Sequence, residues 1–331
     1  MSLHLHGLGH FHPENQITNQ FLVDLDIGTT NDWILERVGI RSRRTVLDLD
    51  YIRRTRNRDT RAAFEASVYS NAEMARRAAE MAIARAGVDR RAIGMVLAGG
   101  SAPDTVCPAE ACNVADLLGL EVPAFDVNSA CTSFFALHYI VSLADPAKLP
   151  EFVLLVSPEG FTRTVNYDDR STAVLWGDAA AAAVVSTRSR GRVEVLGNTI
   201  ESRPSGKDKV VVPRTGHFRQ EGRAVQMFAI RRSVEGFEAL RTRYAQEGRP
   251  FHFVGHQANL RMLEAVCRQC RISPELHHSN VESFGNTGAA SGASVVSMLW
   301  DDFTDRDDVA MVGVGSGLTW ARELLRFGAR A

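Results

Sequence analysis

The stretch AFDVNSACTSFFALHYIVSLA, residues 124–144, runs from a short apolar lead through small polar residues into a run with helical spacing. Cys131 stands where that run opens. A thiol at a helix N-terminus lies in the positive end of the backbone dipoles, which favours thiolate, the form that attacks thioesters. Read alone, the stretch also fits an inert buried cysteine, the commoner fate of that residue type.

Around it, apolar runs bounded by Gly or polar residues alternate with longer helical patterns, the signature of an α/β protein. Predicted strands are Ile93 to Ala98, Phe152 to Val156, Ala179 to Ser186, Phe251 to Val254 and Val309 to Val314. Asn71 to Ala86 places alanines at helical spacing and stops at Gly87. A second helix, Ala229 to Tyr244, leads through a polar turn into the strand at Phe251. The parallel predicts two similar halves, residues 1–188 and 189–331, divided at the polar, charged segment 187–192.

Composition sets outer limits. The chain has 331 residues, 45% of them hydrophobic, enough for a large core, and a formal charge of -1 that supplies no global attraction to nucleic acid or an anionic membrane. The N-terminus MSLHLHGLGHFHPENQ shows no basic stretch followed by an apolar run, and no 18-residue apolar run occurs, so a cytoplasmic protein is expected. Five cysteines, an odd number, are read as reduced thiols.

Two further segments carry chemistry-bearing residues. GHQANLR, 255–261, sets His256 at a strand end; SFGNTGAASGAS, 283–294, leaves Asn286 in a loop of small residues. Each alone reads equally as a hydrogen-bonded core histidine and an ordinary turn.

Taken together, Ala130-Cys131-Thr132-Ser133-Phe134, His256-Gln257-Ala258-Asn259 and Gly285-Asn286-Thr287 resemble, in order and spacing, the motifs of the β-ketoacyl-acyl-carrier-protein synthase III family of the thiolase superfamily. Ser133 replaces a frequent Gly. The resemblance implies a five-layer αβαβα fold, a homodimer, and a reaction in which acyl-CoA acylates Cys131 before malonyl-carrier protein loses carbon dioxide and attacks. Independently, such chemistry needs neutral donors for an oxyanion and an enolate, which an imidazole N–H and a carboxamide supply.

The same resemblance assigns binding roles. DWILERVGIRSRR, 32–44, is similar to the segment that holds coenzyme A, so Trp33 would stack on adenine, Arg37 would face phosphate and Arg170 would lie across the base. Arg261, with Arg268 and Arg271 beside it, would dock the acyl carrier protein. VGVGSGLTWA, 312–321, resembles the closing glycine-rich strand, whose Ser316 N–H, with that of Cys131, would line the oxyanion hole while the Ser316 side chain enters the site. Cys107 stands where relatives place a larger residue reaching the partner's acyl pocket, which implies a primer longer or bulkier than acetyl. Two rival expectations keep the fold: an acyltransferase forming an ester or amide, and a non-catalytic partner subunit.

No metal, flavin or nicotinamide cofactor is expected; acyl-CoA is a substrate. Cys267 and Cys270 have redox or zinc spacing without a second pair and are read as helix-face thiols. His4, His6, His10 and His12 lack a partner that would complete a metal site. The arginines of Leu47 to Arg61 are read as a solvated helix or loop.

Overall fold

A computed structural model describes residues 2–329. Its principal strands are β1 (Leu3–Phe11), β2 (Ile93–Ala98), β3 (Ala124–Asp126), β4 (Phe152–Glu159), β5 (Ala179–Ser186), β6 (Val193–Ser202), β7 (Phe251–Gly255), β8 (Asp308–Gly315) and β9 (Thr319–Phe327). The helices that cover them are α1 (Asn31–Val38), α2 (Asn71–Ala86), α3 (Glu110–Leu117), α4 (Ser133–Leu143), α5 (Gly222–Tyr244), α6 (Leu260–Cys270) and α7 (Ser291–Met298).

The first five strands lie in the order β3-β2-β4-β5-β1 and the other four in the order β7-β8-β9-β6. Directions repeat as well: β2 and β4 are parallel as β7 and β8 are, and β5 and β9 each run antiparallel to both neighbours. The two sheets meet at a seam of three residue pairs between β1 and β6. Helices α4 and α7 pack on strands of both sheets, α2 and α3 cover the outer face of the first, and α5 covers the second with α6 against it. The result is the αβαβα sandwich expected, with α4 and α7 as the middle layer.

The predicted strands are present, several extended by one to three residues, and α2 ends at Gly87 with φ 66°. Helix α5 begins at Gly222, earlier than its sequence pattern predicts. Strand β1 passes unnoticed in the sequence because its glycines break the alternation. Those glycines serve a close approach: a Cβ on Gly7 or Gly9 would collide with the carbonyl oxygens of Ala82 and Ala78, so the alanine face of α2 lies directly on the strand. The β1 histidines and the following His12 are packing elements, His10 Nδ1 lying 2.8 Å from Ser297 Oγ and His12 stacking on Phe284 at 3.9 Å. Burial holds His10 down to about 4 and His12 to about 3, so both rings are neutral.

The arginine-rich stretch forms a short helix, Leu49–Thr55, with Arg58 paired to Asp168 at 2.7 Å on the surface. Cys267 and Cys270 lie on the last turn of α6, where burial raises the thiols to about 11 and about 12. That end of a helix disfavours thiolate, so the pair lacks the electrostatics of a redox couple. Among the described residues, no helix is long and apolar enough to cross a membrane and no group of side chains is placed to hold a metal.

Candidate active site

Both middle-layer helices start from a 3-10 turn, Ala130–Thr132 before α4 and Gly288–Ala290 before α7, and the two turns touch. Cys131 is the centre of the first. Ala130 enters it with φ +49°, a left-handed value unusual for a residue with a Cβ, and its N–H donates to Asn128 Oδ1 at 2.8 Å. From the other side the C-terminal end of β8 closes in: a Cβ on Gly315 would stand 3.1 Å from Cys131 N, tighter than ordinary contact. Glycine there lets the strand lie against the Cys131 amide.

The sulfur is protonated at rest. Burial pushes the Cys131 thiol up to about 12, with the Glu159 carboxylate adding to the effect, while the nearby Ser101 side chain and its own N–H pull the other way. The expected resting thiolate is therefore corrected: at 8% exposure, desolvation outweighs the helix terminus.

The HQAN segment divides its labour. Gln257 Nε2 donates to the Gly255 carbonyl and its Oε1 accepts from Asn280 and Val281, fastening the next loop; Asn259 caps α6 by accepting from Met262 N. These bonds fix the backbone around His256, whose Nδ1 lies 3.0 Å from Ser291 Oγ. That hydroxyl also lies 3.5 Å from Gln257 N, and with its hydrogen directed to Nδ1 the ring proton is assigned to Nε2. Burial lowers His256 to about 4, so the imidazole is neutral.

Asn286 is clamped on its main chain, donating to Leu175 O at 2.8 Å and accepting from Gly177 N at 3.0 Å. Its Oδ1 accepts from Gly288 N at 3.0 Å, which leaves the two Nδ2 hydrogens as the group to offer. Two neutral donors thus accompany the thiol.

One cavity of about 1010 Å³ is lined by Cys131, His256 and Asn286 together with Trp33, Arg37, Arg170, Arg261 and Ser316. Cys107 is not among its lining residues; it is exposed on the loop beside Val106, which is 72% exposed.

Three side chains make contacts beyond those expected. Ser316 borders the cavity, and its hydroxyl donates to Val210 O at 2.6 Å, which ties it to a neighbouring strand. Arg170 lies directly on Trp33, its guanidinium carbon 5.0 Å from the ring centroid and one nitrogen bonded to Gly28 O. A planar group between two stacked surfaces needs them about 7 Å apart, so a base must displace the guanidinium to enter. Arg261 spends its donors on Leu35 O at 2.7 Å, Glu36 O at 3.3 Å and Glu264 at 3.0 Å, tying α6 to the end of α1. Arg268 and Arg271 are exposed.

Sequence reasoning missed Glu159 and Ser101, which the structure sets against the Cys131 turn. Their one signal is position, since Glu159 ends β4 and Ser101 lies in the turn that follows β2, the side of the sheet where α/β proteins gather polar chemistry.

Comparison with known proteins follows the same lines. The family described as 3-Oxoacyl-[acyl-carrier-protein (ACP)] synthase III matches residues 125–204, and its C-terminal counterpart matches residues 251–327. The chain is 31% identical to the Beta-ketoacyl-[acyl-carrier-protein] synthase III of Syntrophomonas wolfei, over 99% of this chain and 98% of that protein. Crystal structures of 3-oxoacyl-[acyl-carrier-protein] synthase III superpose with TM-score 0.85 for Aquifex aeolicus, at 28% identity over 98% of this chain and 100% of that one. For Pseudomonas aeruginosa the TM-score is 0.84, at 29% identity over the whole of both chains.

Proposed function

The chain belongs to the β-ketoacyl-acyl-carrier-protein synthase III family and is a condensing enzyme of the acyltransferase type, and from that premise we propose a two-stage reaction through acyl-Cys131. In the first stage Cys131 displaces coenzyme A from an acyl-CoA, the tetrahedral oxyanion being held by the N–H groups of Cys131 and Ser316. In the second, malonyl-acyl-carrier protein loses carbon dioxide, and the enolate is held by His256 Nε2–H and Asn286 Nδ2–H until its carbon attacks the acyl group. Donors rather than charged acids suit this step, since both groups stay neutral and cost no reorganisation as charge develops.

The observation that carries the reading is that one cavity is lined both by Cys131, His256 and Asn286 and by Trp33, Arg37 and Arg170. Its span suits a long thioester with an aromatic, anionic end. Acyl carrier protein, an acidic partner, would meet Arg268 and Arg271, with Arg261 holding the helix that presents them. The exposed Cys107 loop suits the homodimer expected of the family, in which a small side chain entering the partner's pocket leaves room for a primer longer or bulkier than acetyl. A cytoplasmic location and a division into residues 1–188 and 189–331 belong to the same reading.

Incubation with a panel of acyl-CoAs followed by intact-protein mass measurement tests it. Wild type gains one acyl group, most readily from primers longer than acetyl, Cys131→Ala gains none, and malonyl-dependent carbon dioxide release follows. Absence of an adduct refutes the acyl-enzyme; an adduct without carbon dioxide release points to an oxygen or nitrogen acceptor instead; an acetyl optimum refutes the primer preference.

A further inference from the structure

The two stages leave one proton unassigned. The Cys131 sulfur must lose its hydrogen before it attacks, yet His256 and Asn286 both face the cavity as donors, and neither is arranged to accept. A buried thiol pushed up to about 12 does not ionise unaided near neutral pH.

Among the described residues, the carboxylate that acts on Cys131 is that of Glu159. Glu159, the last residue of β4, is fully buried. Its Oε1 accepts from Ser101 Oγ at 2.9 Å, Ser101 N at 3.0 Å and Ala289 N at 3.0 Å, and its Oε2 accepts from Ser101 N at 3.0 Å. The Ser101 side chain also lies near enough to the Cys131 thiol to lower it. The carboxylate cannot swing away easily, because Gly288 lies so close that a Cβ there would be 2.5 Å from Oε1. We propose that Ser101 and Glu159 are the proton relay of Cys131: the thiol proton passes to Ser101 Oγ as the Ser101 hydroxyl proton passes to Glu159 Oε1.

Electrostatics supports the route. Two anions buried side by side repel strongly, so a thiolate next to ionised Glu159 is costly, whereas the relay keeps one negative charge and only moves it. Burial raises Glu159 to about 7, which makes it a base matched to neutral pH. The charged groups around it are few. Asp178 raises it further and Cys131 shares its field, Arg163 stands beyond Gly160, and the turns Gly99 to Ser101 and Gly288 to Ala290 bring no titratable side chain.

The proton account closes. On acylation the thiolate forms a C–S bond to the substrate carbonyl while the bond to coenzyme A breaks, and coenzyme A leaves as a thiolate that takes a proton from water. On condensation the new carbon–carbon bond expels Cys131 as thiolate, which recovers its proton from Glu159 through Ser101. Both groups act through the sulfur and are positioning residues.

The proposal rests on Cys131 being the acylated nucleophile, and one experiment separates the two claims. Single-turnover acylation by an acyl-CoA, read by intact mass from pH 5 to 9, is compared for wild type, Ser101→Ala, Ser101→Thr and Glu159→Gln. The expected result is a wild-type rate that rises through pH 7 to a plateau. Ser101→Ala and Glu159→Gln should be about 10²-fold slower at pH 7 and lack that plateau, and Ser101→Thr should restore most of the rate. Wild-type rates in Ser101→Ala and Glu159→Gln, or faster ones as expected from removing an anion, overturn the relay and leave Glu159 as a cap of the 288–290 turn. Should Glu159→Gln fail to fold, the contrast between Ser101→Ala and Ser101→Thr decides. A wild type that takes no acyl group brings down the nucleophile and the relay together.

Discussion

Helices α4 and α7 hold equivalent places in the two halves, and each starts from a 3-10 turn in contact with the other. They differ in what meets the N-terminus. At α7, Ala289 N–H is taken by Glu159, a fixed carboxylate reaching across from the first half. At α4, among the described residues, no side chain caps the turn, and the residue at its centre is Cys131. One positive helix end is met by a carboxylate, and the other is left open beside Cys131, the side chain proposed to carry charge during reaction.

That contrast can be broken most severely at the reactive end. Cys131→Ala should remove acylation and cut condensation by on the order of 10³-fold or more, measured by mass and by product formation. His256→Ala and Asn286→Ala should leave acylation intact while carbon dioxide release falls by about 10²–10³ each, which a decarboxylation assay on pre-acylated protein reads. At the end met by the carboxylate, Gly288→Ala places a Cβ 2.5 Å from Glu159 Oε1 at a backbone φ of +56°. It should cost about 1–3 kcal/mol in chemical denaturation.

The smallest effect sharpens the comparison through pH. Glu159 sits at about 7 in the folded chain, above its ordinary value of 4.5, so the native state binds that proton more tightly than the unfolded state. Its stabilising contribution is present at low pH and is lost as pH rises through 7. His256, lowered from 6.5 to about 4, acts oppositely, with stability lost as pH falls through that range. Glu159→Gln deletes only the first effect, so its denaturation midpoint should rise relative to wild type between pH 5 and 8; a gap that stays constant would contradict the buried carboxylate.

What was legible in the sequence was what is written locally. Cys131, His256 and Asn286 each lie in a short motif whose other residues explain themselves in the fold, such as Asn259 capping α6 and Gln257 fastening the loop at 280–281. Strand β1 was illegible because its glycines answer to the alanine face of α2, over 60 residues later in the chain. Similarly, the tether of Ser316 depends on Val210, the bonds of Arg261 on α1, and the place of Glu159 on Ser101 and Ala289. Such partners are chosen by topology, and no window of neighbouring residues contains them. The ionisation of Cys131 failed for a related reason: a helix terminus is visible in sequence, whereas the depth of burial that opposes it is not.

The contact between Arg170 and Trp33 gives the molecule its own indicator. Of four tryptophans, Trp176, Trp300 and Trp320 are buried; Trp176 and the half-buried Trp33 both border the cavity, and Trp33 carries the Arg170 guanidinium on its face. Any ring that slides in must lift that cation off the indole, so a change in ultraviolet emission follows occupancy of the nucleotide end with no label attached. A thioester truncated before that end would leave the Arg170–Trp33 contact in place.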